Sequence, residues 1–260
     1  MEKAVIGRRG SFGRKGMKKA VHIILLTLVS LCSTIVVAQA EELFPVSTGM
    51  RHRIDFWVKI YTQYSKEEVV LHDADHLEII YDAVNVHESF FQSLTRSNRR
   101  KLLEKTKHDY KTILGKLAGL KQPIDPAQLN EKEQYVYNLW AHVSDPKKFE
   151  NARDNLHAQF GLRGLYLAGL QRSGRYLDEL RRIFRGYGLP EELCYLPHVE
   201  SAYNYRAYSK AGAAGMWQFT SYTGRLYLRI NYGIDERYDP YKATDAAARL
   251  LRHNYQELGS

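Results

Sequence analysis

The chain has 260 residues, 44% of them hydrophobic, and a formal net charge of +9, which is ordinary for one or two globular domains that bury cores of their own. Its basicity does not argue for a nucleic-acid partner: Lys3, Arg8, Arg9, Arg14, Lys15, Lys18 and Lys19 stand against the single acid Glu2 in the first 40 residues, so +6 of the +9 sits there and +3 remains for the rest. The two cysteines, Cys32 and Cys194, are too few for a disulfide-held scaffold.

Residues 1–40 read as a secretory signal. Lys18 and Lys19 precede an apolar run from Val21 to Val37, and Ala38-Gln39-Ala40 offers the small residues of a cleavage site. The chain is therefore expected to be exported to the periplasm or cell envelope. If residues 21–37 stay uncleaved, they would associate it with the membrane, since the run is at the short limit of a bilayer span. Cys194, the one thiol left after cleavage, lies among Leu193 and Leu196 and reads as a buried apolar side chain.

From residue 50 the spacing is helical. Ile54, Trp57, Val58 and Tyr61 recur at three and four residues and predict a helix that turns this face to the core. Val69-Val70-Leu71 and Ile79-Ile80-Tyr81 predict a short hairpin. The intervening His72-Asp73-Ala74-Asp75-His76 holds metal-ligand types, but it reads as a solvated turn, and no metal is expected. Residues 88–120 predict one or two helices, with Asn98 as a cap and Arg99-Arg100-Lys101 as a solvated face. The pair Pro123 and Pro126 breaks the chain before a helix on which Tyr135, Leu139 and His142 or Val143 share a face. Short helices follow from Phe149 to Gly188, separated at Gly161, Gly164 and Gly174, with Leu177, Leu180, Ile183 and Phe184 as a core stripe. No β-rich region is expected.

Leu189-Pro190-Glu191-Glu192 reads as a helix start. Leu193, Leu196 and Val199 continue it, and Pro197, which cannot donate within a helix, should kink or end it near Glu200. A carboxyl at the end of an apolar stripe is expected to be partly desolvated, which favours its protonated form and suits a general acid. Downstream, Gly212, Ala213, Ala214 and Gly215 allow a bulky ligand close to the backbone. Trp217 and Tyr203 offer flat surfaces to sugar rings, and Ser209 and Gln218 supply hydrogen-bonding arms. The acids Asp235, Glu236 and Asp239 read as loop and cap residues; Asp239-Pro240 opens a last helix, with Ala243, Ala247 and Leu250 along it and Gly259 at its end.

Glu200-Ser201, Ser209 nine residues after the glutamate, and Gly215-Met216-Trp217-Gln218 resemble the signature of soluble-lytic-transglycosylase-type catalytic domains, in wording closest to the membrane-bound lytic murein transglycosylase D group. The resemblance is specific from about residue 175 onward. It implies a mainly α chain: a helical N-terminal region at 41–174, then an α+β lysozyme-like catalytic domain at 175–260 that is incomplete at its C-terminus. It implies that Glu200 is the lone acid/base acting on the glycan strands of peptidoglycan, without metal or cofactor. Glu200 would protonate the oxygen between N-acetylmuramic acid and N-acetylglucosamine, then take the proton of the muramoyl C6 hydroxyl as a 1,6-anhydro ring closes. Ser201, Tyr203, Ser209, Gly215, Met216, Trp217 and Gln218 would line the substrate cleft. The resemblance also implies a few dozen further residues, with a helix bearing Ala-Tyr-Asn; Ala202-Tyr203-Asn204 has those letters in another place, so weak activity or none is expected of this chain alone. Two alternatives remain at this point: a muramidase-type hydrolase of the same bond, and a non-catalytic peptidoglycan-binding or scaffold protein.

Overall fold

The computed structural model describes residues 44–86 and 96–259. The expected leader at 1–40, with its apolar run, lies outside them, as does the start of the helix expected at 88–120. Among the described residues no helix is long and apolar enough to cross a membrane.

Helix α1, Thr48–Thr62, forms where its spacing predicts, but its faces are exchanged. Phe56 and Ile60 are the buried residues, whereas Ile54, Trp57 and Val58 are 38%, 41% and 51% exposed. Two apolar faces compete on this helix, and the sheet takes the one bearing Phe56 and Ile60. Strands β1, Glu68–Asp73, and β2, Ile80–Asn85, make the expected hairpin, with Val69 opposite Val84 and an irregularity at Leu71/His72. A third strand, β3 at Leu156–Phe160, pairs antiparallel on the other side of β1, giving the order β2-β1-β3. This strand interrupts the short helices expected from Phe149 onward; five residues with one buried position show no clear period.

A central strand is covered on both faces, so its residues read as an unbroken apolar run. Val70 joins Phe56, Ile60 and Leu77 on the α1 side. Leu71 points the other way, into a cluster with Ile79, Tyr81, Tyr110, Leu114 and Trp140. That second cluster is closed by α2, Arg96–Gly119, and by α3, Glu131–Leu139, and α4, Lys148–Asp154. Asn98 lies inside α2 rather than capping it. In α3 the buried side is Val136, followed by Trp140, while Tyr135 is exposed and His142 and Val143 lie past the end of the helix. A capping box between Asn130 and Glu133 sets where α3 begins, and Lys116 bonds both oxygens of Glu133 at 2.8 and 2.7 Å. The turn after β1 is held by Asp73, whose Oδ1 accepts from the backbone of Asp75 and His76. Among the described residues no group of three acids, histidines or cysteines is placed to hold a metal ion.

The second half is built of helices joined by irregular turns. Gly161 closes the first half onto α1: a Cβ there would lie 2.3 Å from the carbonyl oxygen of Ser65. Helix α5, Arg163–Ser173, includes Gly164, so that glycine is no separator, and α6 spans Leu177–Gly186. The expected stripe on α6 is the core one. Leu180 and Phe184 are fully buried, with Leu177 and Ile183 packed beside them, each full burial stabilising by about 1.5–3 kcal/mol. After a 3-10 turn at Glu191–Tyr195 comes α7, Pro197–Glu200, a single turn in which Pro197 occupies the first positions. The proline therefore starts a new turn instead of bending an existing helix, which suits its fixed φ and missing donor. A one-turn α8, Ser221–Gly224, leads to a 3-10 turn at Glu236–Tyr238 and to α9, Pro240–Leu258. Asp239 caps α9 by accepting from Tyr241 and Lys242 at 3.0 Å each, and Gly259 ends it at φ 71°. Ala243, Ala246, Ala247 and Ala248 are buried along α9 and let it lie against α6. The described elements from Ser47 onward form one compact unit, and it holds a core on each side of α5.

Candidate active site

Glu200 ends α7 at the edge of an open groove of about 240 Å³. Leu196 and Trp217 line it, as do Gln218 and Thr220, and Ala247, Leu250 and Leu251 of α9 line its other part. The enclosure expected for Glu200 is not found: the residue is exposed. Its apolar neighbours form the groove walls, but a single helical turn ending at residue 200 carries the carboxyl out beyond them. Among the described residues, Glu200 is the one acid lining this groove.

The loop behind the groove is held in an unusual backbone path. Ala202 and Tyr203, at φ 51° and 57°, and Gln218, at φ 49°, are left-handed although none is glycine. Such residues cost about 1–3 kcal/mol each and persist where their surroundings dictate them. Those surroundings are identifiable. Ser201 donates from Oγ to the carbonyl of Met216 at 2.8 Å and accepts from the Asn204 amide. Arg172 of α5 donates to the Ala202 carbonyl at 2.6 Å, and the Tyr203 hydroxyl donates to the Cys194 carbonyl. Gln218 Nε2 donates to the Gly215 carbonyl at 2.8 Å. Gly215 has φ 80°, and its missing side chain makes room for the carbonyl of Arg237.

These bonds sort the residues expected at the sugar. Glu200, Trp217 and Gln218 do line one groove. Tyr203 and Met216 are fully buried and offer no surface to a ligand; Tyr203 stacks on Tyr176 and meets His198 edge-on, and both belong to the core beneath the groove. Ser201 serves as a strut rather than an arm. Ser209 turns inward on its own loop: its amide donates to the Ala213 carbonyl and its Oγ accepts from the Ala213 amide, and it does not line the groove that holds Glu200. Trp217 is mostly buried, its ring 5.7 Å from Phe184 and its Nε1 bonded to Thr244. The periodic signal that marks the core marks these residues too, so spacing alone did not separate struts from ligand contacts.

The other acids have structural partners. Asp235 grips Arg237, which also donates to the carbonyls of Gly212 and Phe219. Glu236 bonds Lys242 and both the backbone and side chain of Arg229, and these hold its carboxyl down to about 2. Asp239 is the cap of α9. Cys194 is buried, which pushes its thiol up and keeps it unreactive.

His198, two residues before Glu200, was missed by the sequence reading. It is buried among Tyr166, Tyr195 and Tyr203, and burial holds its imidazole below the usual range. His72 is held down in the same way, chiefly by burial. An unfolded chain takes up protons on both rings near pH ~6.5, where the folded chain does not, so folding stability should fall as pH drops from about 7 toward 5. Urea midpoints across that range are expected to show this loss, and His198→Gln to make the slope shallower. An unchanged slope in the variant would show that His198 is not held neutral by the fold.

Residues 184–260 match the family described as Transglycosylase SLT domain, and the mainly α architecture fits the lysozyme-like fold of that family. Over 121 residues the chain is 36% identical to "Membrane-bound lytic murein transglycosylase D" of Escherichia coli strain K12, and equally to the protein of that name from Escherichia coli O6:H1. Each match covers 44% of this chain and 27% of the relative. The chain thus spans about a quarter of the length of these relatives. No solved structure matches it.

Proposed function

We propose that this protein is an envelope enzyme that cleaves the glycan strands of peptidoglycan as a lytic transglycosylase, with Glu200 as its single acid/base. The reading divides the chain into a leader at 1–40, a helical region at 41–174 and the catalytic region at 175–260. One observation carries it: Glu200 is the one acid on a groove within the matched domain, and the neighbouring acids Asp235, Glu236 and Asp239 are each committed to an arginine, a lysine or a helix end. Hydrolytic glycosidases use two carboxyl groups. A site with one is suited to a reaction in which the substrate supplies its own nucleophile.

In the proposed sequence Glu200 gives its proton to the bridging oxygen as the bond from muramoyl C1 to that oxygen breaks. The muramoyl C6 oxygen then bonds to C1, and its proton passes to Glu200, which regenerates the acid. Gln218 and the edge of Trp217 border the same groove and would hold the sugars, while Gly215 fixes Gln218 from behind.

A second reading, hydrolysis of the same bond, is favoured by the exposure of Glu200, because water reaches it freely. Mass spectrometry of soluble products separates the two. Prolonged digestion of purified sacculi is expected to release fragments with 1,6-anhydromuramoyl ends. Reducing ends in their place would establish hydrolysis, and an absence of any fragment would leave a binding protein. Because the groove is open, turnover is expected to be slow.

A further inference from the structure

The face of α1 with Ile54, Trp57, Val58 and Tyr61 has helical spacing and apolar chemistry, yet nothing among the described residues covers it. Together with Tyr166 of α5 and Val199 of α7 it walls a second groove, of about 440 Å³. Aromatic rings run along this groove: Trp57 lies 6.1 Å from Tyr61, and Tyr61 5.8 Å from Tyr166. Val199 and Glu200 are consecutive at the end of α7, and they line different grooves: Val199 this one, Glu200 the one with Gln218. The two grooves are thus lined by neighbouring residues of one helical turn. The phenol of Tyr61 is raised above its ordinary range, first by burial and then by the charge of Glu200, which places that phenol within electrostatic reach of the carboxyl.

We propose that the groove on α1 is a glycan-binding surface, which stacks sugar rings of the same polysaccharide strand on Trp57 and Tyr61 and leads the strand to Glu200. This rests on the transglycosylase reading above. A pyranose ring has one face of C–H groups and an edge of hydroxyls, and aromatic rings with polar tips match both. The groove supplies the aromatic faces: its lining is almost wholly apolar, with Trp57, Tyr61, Tyr166 and Arg53 among its residues. Its position one residue from Glu200 favours the strand over a second copy of the chain, because sugars bound there would lie close to the acid.

The test uses chitohexaose, a six-sugar chain of N-acetylglucosamine, with the full chain carrying Glu200→Gln so that binding is read without turnover. Binding is read by isothermal titration calorimetry, because Trp217 borders the groove of Glu200 and Trp57 is itself replaced in one variant. A saturable change is expected, and Trp57→Ala or Tyr61→Ala is expected to weaken binding on the order of tenfold, with circular dichroism unchanged. Absence of any binding heat at saturating sugar would overturn the proposal without any surface substitution, and equal affinity of the variants would do the same. If the variants instead lose only binding to anionic phospholipid vesicles, or only self-association in sedimentation, the groove belongs to a membrane or to a second copy. The catalytic reading fails on a separate measurement, the lack of Glu200-dependent fragments from sacculi, so the two failures are distinguishable.

Discussion

Glu200→Gln is expected to lower the release of anhydromuramoyl fragments by about 10²–10⁴-fold, the usual contribution of a positioned general acid/base. Glutamine keeps the size and hydrogen-bonding reach of the side chain but has no proton to give to the departing oxygen and no base to receive one from the C6 hydroxyl. Because Glu200 is exposed and ends its helix, the change should leave the melting temperature within a degree or so of the parent, as surface substitutions usually do. Binding of chitohexaose should persist. Digestion by the variant at the parent rate would remove Glu200 from the chemistry, and no other acid on its groove stands ready to replace it.

Gly215→Ala should give the largest stability loss of any single methyl addition near the groove. The glycine sits at φ 80°, and a Cβ there would lie 1.7 Å from the carbonyl oxygen of Arg237 and 2.7 Å from its carbon. Neither atom is the free end of a side chain. Arg237 is itself tied to Asp235, Gly212 and Phe219, so relief requires moving the turn before α9. The cost should be at least about 3 kcal/mol, combining left-handed strain with the clash, or a fall of roughly 6–12 °C in Tm for a domain of this size. Gly212→Ala is the control. Gly212 has the same φ of 80°, but its nearest neighbour, the Tyr208 hydroxyl, is 3.6 Å from the added carbon, so it should lose about 1–2 kcal/mol from strain alone. Equal losses at the two positions would mean that the contact with Arg237 is not the cause. Since Gly215 also accepts from Gln218, Gly215→Ala should weaken sugar binding as well.

The groove segment shows how far a local pattern carries. Glycines at 212 and 215, a tryptophan and a glutamine after them, and a lone glutamate fifteen residues before Gly215 are legible as a site because glycine and strained backbone serve close approach. Which side chains face the ligand is not legible there. Tyr203 and Met216 look like sugar contacts by type and are core by position, because left-handed residues at 202, 203 and 218 reverse the direction of the chain. His198 carried no motif at all and emerged only from the tyrosines that converge on it from α5 and the loops either side of α7.

By itself the sequence determined the helical periods, the hairpin around residue 75, the Asp239 cap, the core stripe of α6 and the glutamate on which the chemistry is proposed, since each depends on neighbours within about a turn or a strand pair. Only the tertiary structure decided which apolar face of α1 is buried, that β3 completes the sheet, and that Glu200 stands exposed on its groove. Those outcomes depend on which surfaces compete for the same partner. Phe56 and Ile60 fit against Val70 and Leu77, and that packing leaves Ile54, Trp57 and Val58 exposed.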